Sequence, residues 1–371
     1  MSLVAAISRL IEGIVHVARP NVKTPNLASL MNAKRAVIHG TGLLGASVGL
    51  ALRSQGWDVA GWDPDAEALN EARRRGAIES SLEGPETGEA DLVVLAAPPE
   101  AIVAAVAGMK TDALVTDISG VKAPIVAAAS HLPHFVGGHP MAGGETSGAS
   151  LATSSMFHGA TWILTSDGAA EDDLNRMREI TRSLGANPVV VTADEHDAAV
   201  ARISHLPHVL AAALMRLAES DQATLGLAGT GFRDLTRIAA GDSTWWAEVL
   251  NANAPQVDAA IEELQKALDG WRRMIGDNTA GGLDVELESA RLARVGLGEH
   301  HTQVRVVLVD KPGEIARVGH ALETSRVDVR DFQLRHGEHG GGGILTISVK
   351  GEGKDALTMA LADEGFEVRV D

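Results

Sequence analysis

Cysteine is absent from this 371-residue chain, and basic residues are scarce. The absence of cysteine excludes disulfides, thiolate metal sites and a cysteine nucleophile. The 32 lysines and arginines are outnumbered by 49 acidic residues, which gives a net charge of −17 at pH 7. Such a charge disfavours nucleic acid and anionic membranes as partners. No apolar run reaches the roughly 18–20 residues of a membrane span, so we expect a cytoplasmic protein.

The chain is long enough for two or three domains. Apolar residues make up 45% of it, which excludes an intrinsically disordered chain. We expect residues 1–33 to form an N-terminal extension, in which apolar side chains recur at helical spacing. A targeting peptide and a start codon placed upstream of Met31 are alternatives. A targeting peptide is disfavoured because no charged n-region or small-residue cleavage site follows in the expected order.

Residues 34–192 alternate between short apolar runs and helical patterns. Continuous apolar strands separated by helices are typical of a parallel sheet that is covered on both faces. The expected strands are 36–39, 58–62, 91–96, 113–117, 135–138, 161–165 and 188–192, and the first helices are 43–54 and 66–75. The sequence therefore predicts an α/β, Rossmann-like, dinucleotide-binding domain.

Residues 193–298 show helical spacing without a convincing strand, which predicts an all-α domain. Pro207 is expected to kink or break its first helix. One apolar stripe at intervals of three to four residues comprises Ile261, Leu264, Leu268, Trp271 and Ile275. Burial of this stripe against a second subunit would make the protein a homodimer. Residues 301–371 then follow the order βαββαβ, which is typical of a ferredoxin-like domain.

A glycine-rich turn links the first strand to the first helix. In it Gly40 permits a tight turn, Gly42 allows pyrophosphate to approach the helix N-terminus, and Gly45 allows close helix–sheet packing. Asp63 ends the second strand, where its carboxylate can accept from ribose hydroxyls and would repel a 2′-phosphate. We therefore expect NAD as cofactor. The predicted cofactor contacts are Gly40, Gly42, Leu43, Leu44, Gly45, Asp63 and Ala97.

His139 directly follows a predicted strand, at the sheet edge where open α/β folds bind ligands. Imidazole is the side chain best suited to general base chemistry near pH 7, and Pro140 makes the turn rigid. A purely structural histidine is the alternative. Ser119 follows another strand and can hydrogen-bond the base or the cofactor, or simply cap a helix.

Two pairs of polar residues in the helical region are candidates for substrate binding. His205 and His208 share one helix face, and Arg233 and Arg237 are four residues apart. Arginine binds carboxylates through two parallel hydrogen bonds, which favours an acidic substrate over a solvated basic face. No third ligand stands at metal spacing and no HExxH pattern occurs, so no metal is expected. Trp246 lies nearby and either walls the pocket or belongs to the core.

These motifs in combination resemble the prephenate/arogenate dehydrogenase family of tyrosine biosynthesis. The resemblance runs from about residue 34 to 298 and rests on four sequences: the glycine-rich turn, HPMAGGETSG at 139–148, DEHD with SHLPH at 194–208, and GFRDLTR at 231–237. The family's usual Gly-Ser-Val-Lys is replaced here by Ser119-Gly120-Val121-Lys122, so the serine is displaced by one position. The sequence DKPGE at 310–314, with the βαββαβ order, resembles an ACT regulatory domain.

The resemblance implies an NAD-dependent oxidative decarboxylation of prephenate to 4-hydroxyphenylpyruvate. His139 would accept the proton of the ring hydroxyl, and Arg237 would hold a substrate carboxylate. Further residues implied to line the substrate site are Glu145, Ser204, His205, His208 and Trp246, with Arg233 reaching across from a partner subunit. Tyrosine is implied as an effector of the ACT domain. Two alternatives stay open, namely action on arogenate and a non-catalytic amino-acid sensor.

Overall fold

Six parallel strands make up the first sheet, in the order β3-β2-β1-β4-β5-β6. They are β1 (Arg35–His39), β2 (Asp58–Trp62), β3 (Ser80–Ser81), β4 (Leu92–Leu95), β5 (Leu114–Asp117) and β6 (Phe135–Val136). Helices α1 (Leu43–Ser54), α2 (Ala66–Arg74), α3 (Pro99–Ala107) and α4 (Ala123–Ala128) connect them. Successive residues of a strand pack on opposite faces of this sheet. Val37 packs with Val93 in the core on one face, and Ile38 packs with Val94 in the core on the other. This strand order confirms the predicted Rossmann-like domain.

This computed structural model describes residues 34–143, 148–276, 280–296, 301–309, 311–336 and 343–370. The predicted N-terminal extension over 1–33 and the predicted substrate contact Glu145 lie outside the described residues. The chain divides into two compact units, Met1–Gln265 and Lys266–Asp371. The domain boundaries expected at 192/193 and 298/301 stay predictions.

A second, three-stranded sheet follows the first. Its strands are β7 (Gly138–Pro140), β8 (Thr161–Thr165) and β9 (Asn187–Val191), with α5 (Glu171–Ser183) between the last two. Strand β7 is antiparallel to β8, whereas β8 and β9 are parallel. The single strand predicted over 135–138 was therefore wrong, because the chain leaves the first sheet at Gly137. A Cβ at Gly138 would lie 2.6 Å from the Asp117 carbonyl oxygen, so only glycine permits this close approach.

The helical part of the first unit begins with one continuous helix, Ala193–Glu219. A capping box starts it, because Thr192 Oγ1 accepts from the Glu195 amide and Glu195 accepts from the Thr192 amide. Pro207 was expected to kink or break this helix, and the structure shows that it does not break it. A π-helical turn over Ala201–His205 joins α6 (Ala193–Val200) to α7 (Leu206–Glu219) and accommodates the proline.

By length and composition alone the Ala193–Glu219 helix could cross a membrane, a possibility that the sequence analysis did not single out. One such helix is weak evidence for a membrane span, and this one buries His196, Asp197 and His205 in hydrogen bonds within the first unit. Beyond it lie α8 (Gln222–Gly226), α9 (Thr230–Thr236), a 3₁₀ turn (Arg237–Ala240), α10 (Ser243–Ala252) and α11 (Ala254–Gly276).

The second unit contains a four-stranded antiparallel sheet in the order β11-β12-β10-β13. Its elements are α12 (Ala280–Gly296), β10 (His301–Leu308), α13 (Glu314–Ser325), β11 (Val329–His336), β12 (Gly343–Lys350), α14 (Lys354–Asp363) and β13 (Glu367–Val370). The core buries Val306, Ile347 and Leu357 completely. The βαββαβ order from β10 to β13 is the one that the sequence predicts.

Candidate functional site

The turn between β1 and α1 is built for close backbone contacts. Gly40 adopts a positive φ of 92°, and a Cβ there would lie 2.1 Å from the Ala96 carbonyl oxygen. A Cβ at Gly45 would lie 1.9 Å from the Gly40 carbonyl oxygen, so α1 can approach the sheet only through glycine. No atom lies within 4 Å of a Cβ built on Gly42. The open space is therefore at Gly42, in front of the helix.

Gly42 is also the N-cap of α1, where no side chain caps the helix and no acidic residue stands in the first turn. Leu43 and Leu44 follow as its first two residues. Their free amides and the helix dipole provide the environment that a pyrophosphate requires. The turn thus fits a dinucleotide on the geometry of its backbone.

A cavity of about 940 Å³ opens beside this turn. Four of the predicted cofactor contacts line it, namely Gly40, Gly42, Asp63 and Ala97, whereas Leu43, Leu44 and Gly45 are not part of its lining. The Asp63 carboxylate accepts from the Thr41 amide (2.6 Å), the Thr41 hydroxyl (3.1 Å) and the Asp65 amide (2.9 Å). These hydrogen bonds fix its orientation at the carboxyl end of β2. A fixed carboxylate at that position suits the ribose hydroxyls of NAD.

His139 lies in the middle of β7, rather than after a strand as predicted. Its Nδ1 is 2.8 Å from His196 Nε2, and His196 Nδ1 in turn donates to Asp197 Oδ1 at 2.7 Å. Asp197 also accepts from the amides of Lys122 (2.7 Å) and Ala123 (2.8 Å). The result is a chain of two imidazoles that ends on a carboxylate held by backbone amides.

A buried ion pair supports the strand that carries His139. Lys122 Nζ donates to Asp117 Oδ2 and, at 2.7 Å, to the Gly138 carbonyl oxygen. Asp117 Oδ1 accepts from the Gly138 amide at 3.3 Å. Both side chains of the pair have no exposed surface. The peptide groups on either side of Gly138 are thereby fixed, which sets the position of the next residue, His139.

Two imidazoles of this region, those of His139 and His205, are neutral near pH 7. Burial lowers the pKa of His139 well below its usual value of 6.5, and positive charge on His196 or Lys122 opposes its protonation further. Burial also lowers the pKa of His205 to about 4, although Asp197 acts in the opposite direction. A neutral imidazole has a lone pair available, which is the form that a general base requires.

Ser119 lies close to this region but turns its hydroxyl elsewhere. Its amide donates to Asp117 Oδ2 at 2.9 Å, and its Oγ accepts from the Val121 amide at 3.4 Å. No hydrogen bond joins Ser119 to His139 in the part of the chain that the structure describes. Gly120 is the nearer residue, since a Cβ there would lie 3.8 Å from His139 Nε2. His139 Nε2 thus faces the loop that follows β5.

The predicted substrate residues on the long helix lie around Trp246. His208 stacks on Trp246, with ring centroids 3.8 Å apart, and the His205 ring meets Trp246 edge-on at 6.2 Å. Asn253 Nδ2 lies 3.1 Å from His205 Nδ1 and donates to the Asp197 carbonyl oxygen at 2.9 Å. Ser204 is half-buried in the π-helical turn. His205 therefore belongs to the same network as Asp197.

The two predicted arginines have a different environment. Arg233 and Arg237 are both exposed, on α9 and on the 3₁₀ turn that follows it. Arg233 Nε donates to the Ala228 carbonyl oxygen at 3.2 Å. The 3₁₀ turn packs against α7, the helix that carries His208. The structure thus places Arg237 beside α7, the helix that carries His208, with the arginine side chain exposed to solvent.

Sequence reasoning missed five members of the site, namely Asp117, Lys122, His196, Asp197 and Asn253. His196 and Asp197 stand inside the DEHD run that carried the resemblance, so the run was noticed but its chemistry was not. Among the described residues, no group of three or more histidine, aspartate or glutamate side chains is arranged to hold a metal ion.

Comparison with known proteins agrees with this geometry. The nucleotide-binding domain model of prephenate dehydrogenase matches residues 48–190, and the dimerization domain model matches residues 192–288. A prephenate dehydrogenase of Lactococcus lactis is 34% identical over 284 residues, which cover 72% of this chain and 78% of that protein.

Two solved structures have the same fold. Prephenate dehydrogenase from Aquifex aeolicus, in complex with hydroxyphenyl propionate and NAD⁺, is 26% identical with a TM-score of 0.68 over 74% of this chain and 100% of that one. Arogenate dehydrogenase from Synechocystis is 25% identical with a TM-score of 0.64 over 71% of this chain and 100% of that one. The chain belongs to the prephenate dehydrogenase family.

Proposed function

We propose that this protein is an NAD-dependent prephenate dehydrogenase that converts prephenate to 4-hydroxyphenylpyruvate and carbon dioxide. The observation that carries the proposal is the neutral, half-buried His139, whose Nδ1 is engaged by His196 and whose Nε2 faces the loop after β5. That loop stands at the carboxyl end of the Rossmann sheet, where this fold binds the reactive part of its ligands. NAD bound at the glycine-rich turn supplies the acceptor for the hydride.

In this mechanism His139 Nε2 accepts the proton of the substrate's ring hydroxyl while hydride leaves the same carbon. The forming carbonyl then favours loss of the ring carboxylate as carbon dioxide, and the ring becomes aromatic. General base catalysis of this kind contributes about 10²–10⁴-fold to a rate. The buried Lys122–Asp117 pair contributes by holding the Gly138 peptide, and hence His139, in place.

The substrate carboxylates require cations, and Arg237 is the proposed clamp. His205, His208 and Trp246 form the wall of the pocket, with Ser204 at its edge and Glu145 as a further contact. Arg233 is proposed to reach into the site of a second subunit. Exposed apolar side chains near both arginines support a homodimer, since Leu227 is 86% and Leu235 66% exposed in the single chain.

Arogenate is the second candidate substrate, and the Synechocystis relative is the observation that favours it. Arogenate carries an amino group where prephenate carries a keto group, and the proposed carboxylate clamp fits both. The third possibility, a sensor without chemistry, is disfavoured because the imidazole chain and the open glycine-rich turn have the geometry that catalysis needs.

The decisive experiment is a turnover assay of the full chain with prephenate and arogenate, each with NAD and NADP. We expect the highest kcat/KM with prephenate and NAD, with NADH and 4-hydroxyphenylpyruvate formed in equal amounts. A higher kcat/KM with arogenate would assign the second substrate instead. No NADH with either substrate would contradict the dehydrogenase function.

The β10–β13 unit is proposed to act as an ACT-type regulatory domain that binds tyrosine and lowers activity. Gly313, with a φ of 94°, is the N-cap of α13, and no side chain caps that helix. Free amides at this end suit the carboxylate of an amino acid. The site is proposed to lie between two such domains of a dimer, in a cytoplasmic enzyme.

Gly313→Ala tests the regulatory proposal in the full chain. A Cβ at Gly313 meets no atom within 4 Å but strains the left-handed backbone, so we expect weaker inhibition by tyrosine and unchanged basal turnover. Gly319→Ala, in the middle of the same helix, is the matched control. Equal inhibition of both variants and the wild type would contradict a tyrosine site at this turn.

A further inference from the structure

We infer that His196 and Asp197 form a proton relay behind His139, in which His196 is a second proton carrier. The inference rests on the proposed function, because it concerns the fate of the proton that His139 removes. It assigns to His196 a role that the sequence did not indicate. His196 is 1% and Asp197 2% exposed, so neither contacts bulk solvent.

The Asp197 carboxylate determines the direction of the hydrogen bonds that link His139, His196 and Asp197. Asp197 Oδ1 accepts from the Lys122 amide and Oδ2 from the Ala123 amide, which favours its ionised, acceptor-only form. His196 Nδ1 must therefore carry a hydrogen toward Asp197. In neutral His196 the Nε2 atom is then an acceptor, so the hydrogen between the two rings belongs to His139 Nδ1. His139 Nε2 is left with a free lone pair.

The same order of bonds gives the proton a path. The substrate hydroxyl proton forms a bond to His139 Nε2, and the Nδ1 proton of His139 moves to His196 Nε2. His196 keeps its Nδ1–H and becomes an imidazolium next to the Asp197 carboxylate, while His139 becomes neutral again. One proton has then been added to the pair of imidazoles, and its positive charge lies on His196, beside the negative charge of Asp197. After product leaves, the His139 Nε2 proton passes to solvent and the His196 Nε2 proton returns to His139 Nδ1, which restores the starting state.

Among the described residues, the charged groups that act on the two rings agree with this direction. Lys122 lies under His139 and is compensated by Asp117, and His205 stays neutral near pH 7 because burial lowers its pKa to about 4. Positive charge on Lys122 disfavours an imidazolium at His139. Asp197 is the carboxylate that contacts His196, so a positive charge on His196 would lie next to a negative one.

The test compares His196→Phe, which removes the carrier, with His196→Gln, which keeps an amide acceptor for the Nδ1–H but cannot carry a proton. Single-turnover rates of NADH formation isolate the chemical step. We expect His196→Phe to lower this rate on the order of 10²-fold, the lower end of what general base catalysis contributes. KM for prephenate should change less than about threefold. His196→Gln should be intermediate.

Two further readouts separate a relay from a structural role. The dependence of the rate on the deuterium fraction of the solvent should be curved in the wild type, where two protons move, and linear in both variants. The acid limb of the pH profile should move to lower pH in His196→Phe, because the His139 imidazolium loses its acceptor. Equal pH profiles with a uniform loss of rate would assign His196 a packing role and overturn the relay.

His134→Phe is the matched control, because His134 forms a second histidine–aspartate contact with Asp173 (2.8 Å) away from the site. Its kinetics should equal those of the wild type. NAD binding, followed by quenching of tryptophan fluorescence, establishes that each variant is folded. If the wild type turns over prephenate and His196→Phe behaves as His134→Phe does, the relay is wrong and the proposed function stands. If the wild type itself is inactive, the proposed function fails.

Discussion

The surroundings of His139 differ sharply from those of Arg233 and Arg237. His139 is supported by buried partners, namely His196, Asp197 and the Lys122–Asp117 pair, all within one chain. Both arginines are exposed, on short helical elements next to exposed leucines. The residues proposed to accept the proton thus have all their described partners within one chain, whereas the arginines proposed to bind carboxylate face solvent. The difference teaches that a buried hydrogen-bonded network and an exposed basic face are built separately, and only the exposed face is open to a second subunit.

The comparison predicts its largest effect at His139. His139→Asn keeps a polar side chain of similar shape but removes the base, so we expect kcat to fall about 10²–10⁴-fold with little change in NAD affinity. Steady-state kinetics and a cofactor titration measure both quantities. A variant that retains more than half of its turnover would show that the buried half of the site is not catalytic.

Arg237→Ala should weaken substrate binding and leave the chemical step largely intact. Loss of a charge-assisted pair costs about 2–5 kcal/mol, so KM for prephenate should rise at least about 30-fold. Arg176→Ala is the control, since Arg176 is an exposed arginine on α5 that faces Asp173 at 3.7 Å. An unchanged KM in Arg237→Ala would remove the arginine from the substrate site.

The same division explains what could be predicted from the sequence. The turn at Gly40–Gly45 and Asp63 follow from local rules, because a strand, a turn and a helix N-terminus are contiguous in the chain. The contact between His139 and His196 joins residues 57 positions apart, and Asn253 reaches Asp197 across 56 positions. Such contacts depend on how β7 and α6 pack, which no local pattern encodes.

Strand β7 illustrates the same limit. An apolar run over 135–138 indicates one strand, yet the chain passes to a second sheet because Gly137 and Gly138 allow its backbone to approach Thr165 and Asp117. Propensity identifies the strand, whereas tertiary packing divides it. The π-helical turn ahead of Pro207 is a second case, since the proline predicts a kink or a break, yet the long helix continues through this turn.

Asp63→Ser should reduce the preference of the enzyme for NAD over NADP. The carboxylate repels a 2′-phosphate, so the ratio of kcat/KM for NAD over NADP should fall by about tenfold, equivalent to about 1.4 kcal/mol. Asp65→Ser is the matched control, because Asp65 caps α2 by accepting from the Glu67 amide and serine preserves that cap. Comparable kcat/KM for both cofactors in the wild type would contradict the role of Asp63.

The smallest expected effect is on the pH dependence of stability, and it follows from the buried residue His205. His205 has a pKa of about 4 in the folded chain and an ordinary value of 6.5 when unfolded. Between these values the unfolded chain binds a proton that the folded chain does not. The free energy of unfolding therefore decreases as pH falls from 6.5 toward 4, and this contribution of His205 is retained in full above 6.5.

His205→Gln removes this titration. The melting temperature of the variant should therefore vary less with pH than that of the wild type, by about 2–6 °C between pH 6.5 and 4. Melting curves at constant ionic strength measure it, with Arg176→Ala expected to follow the wild type. If the melting temperatures of His205→Gln and the wild type change equally with pH, His205 has the same pKa in the folded and the unfolded chain. The contrast between buried neutral imidazoles and exposed arginines would then rest on His139 alone.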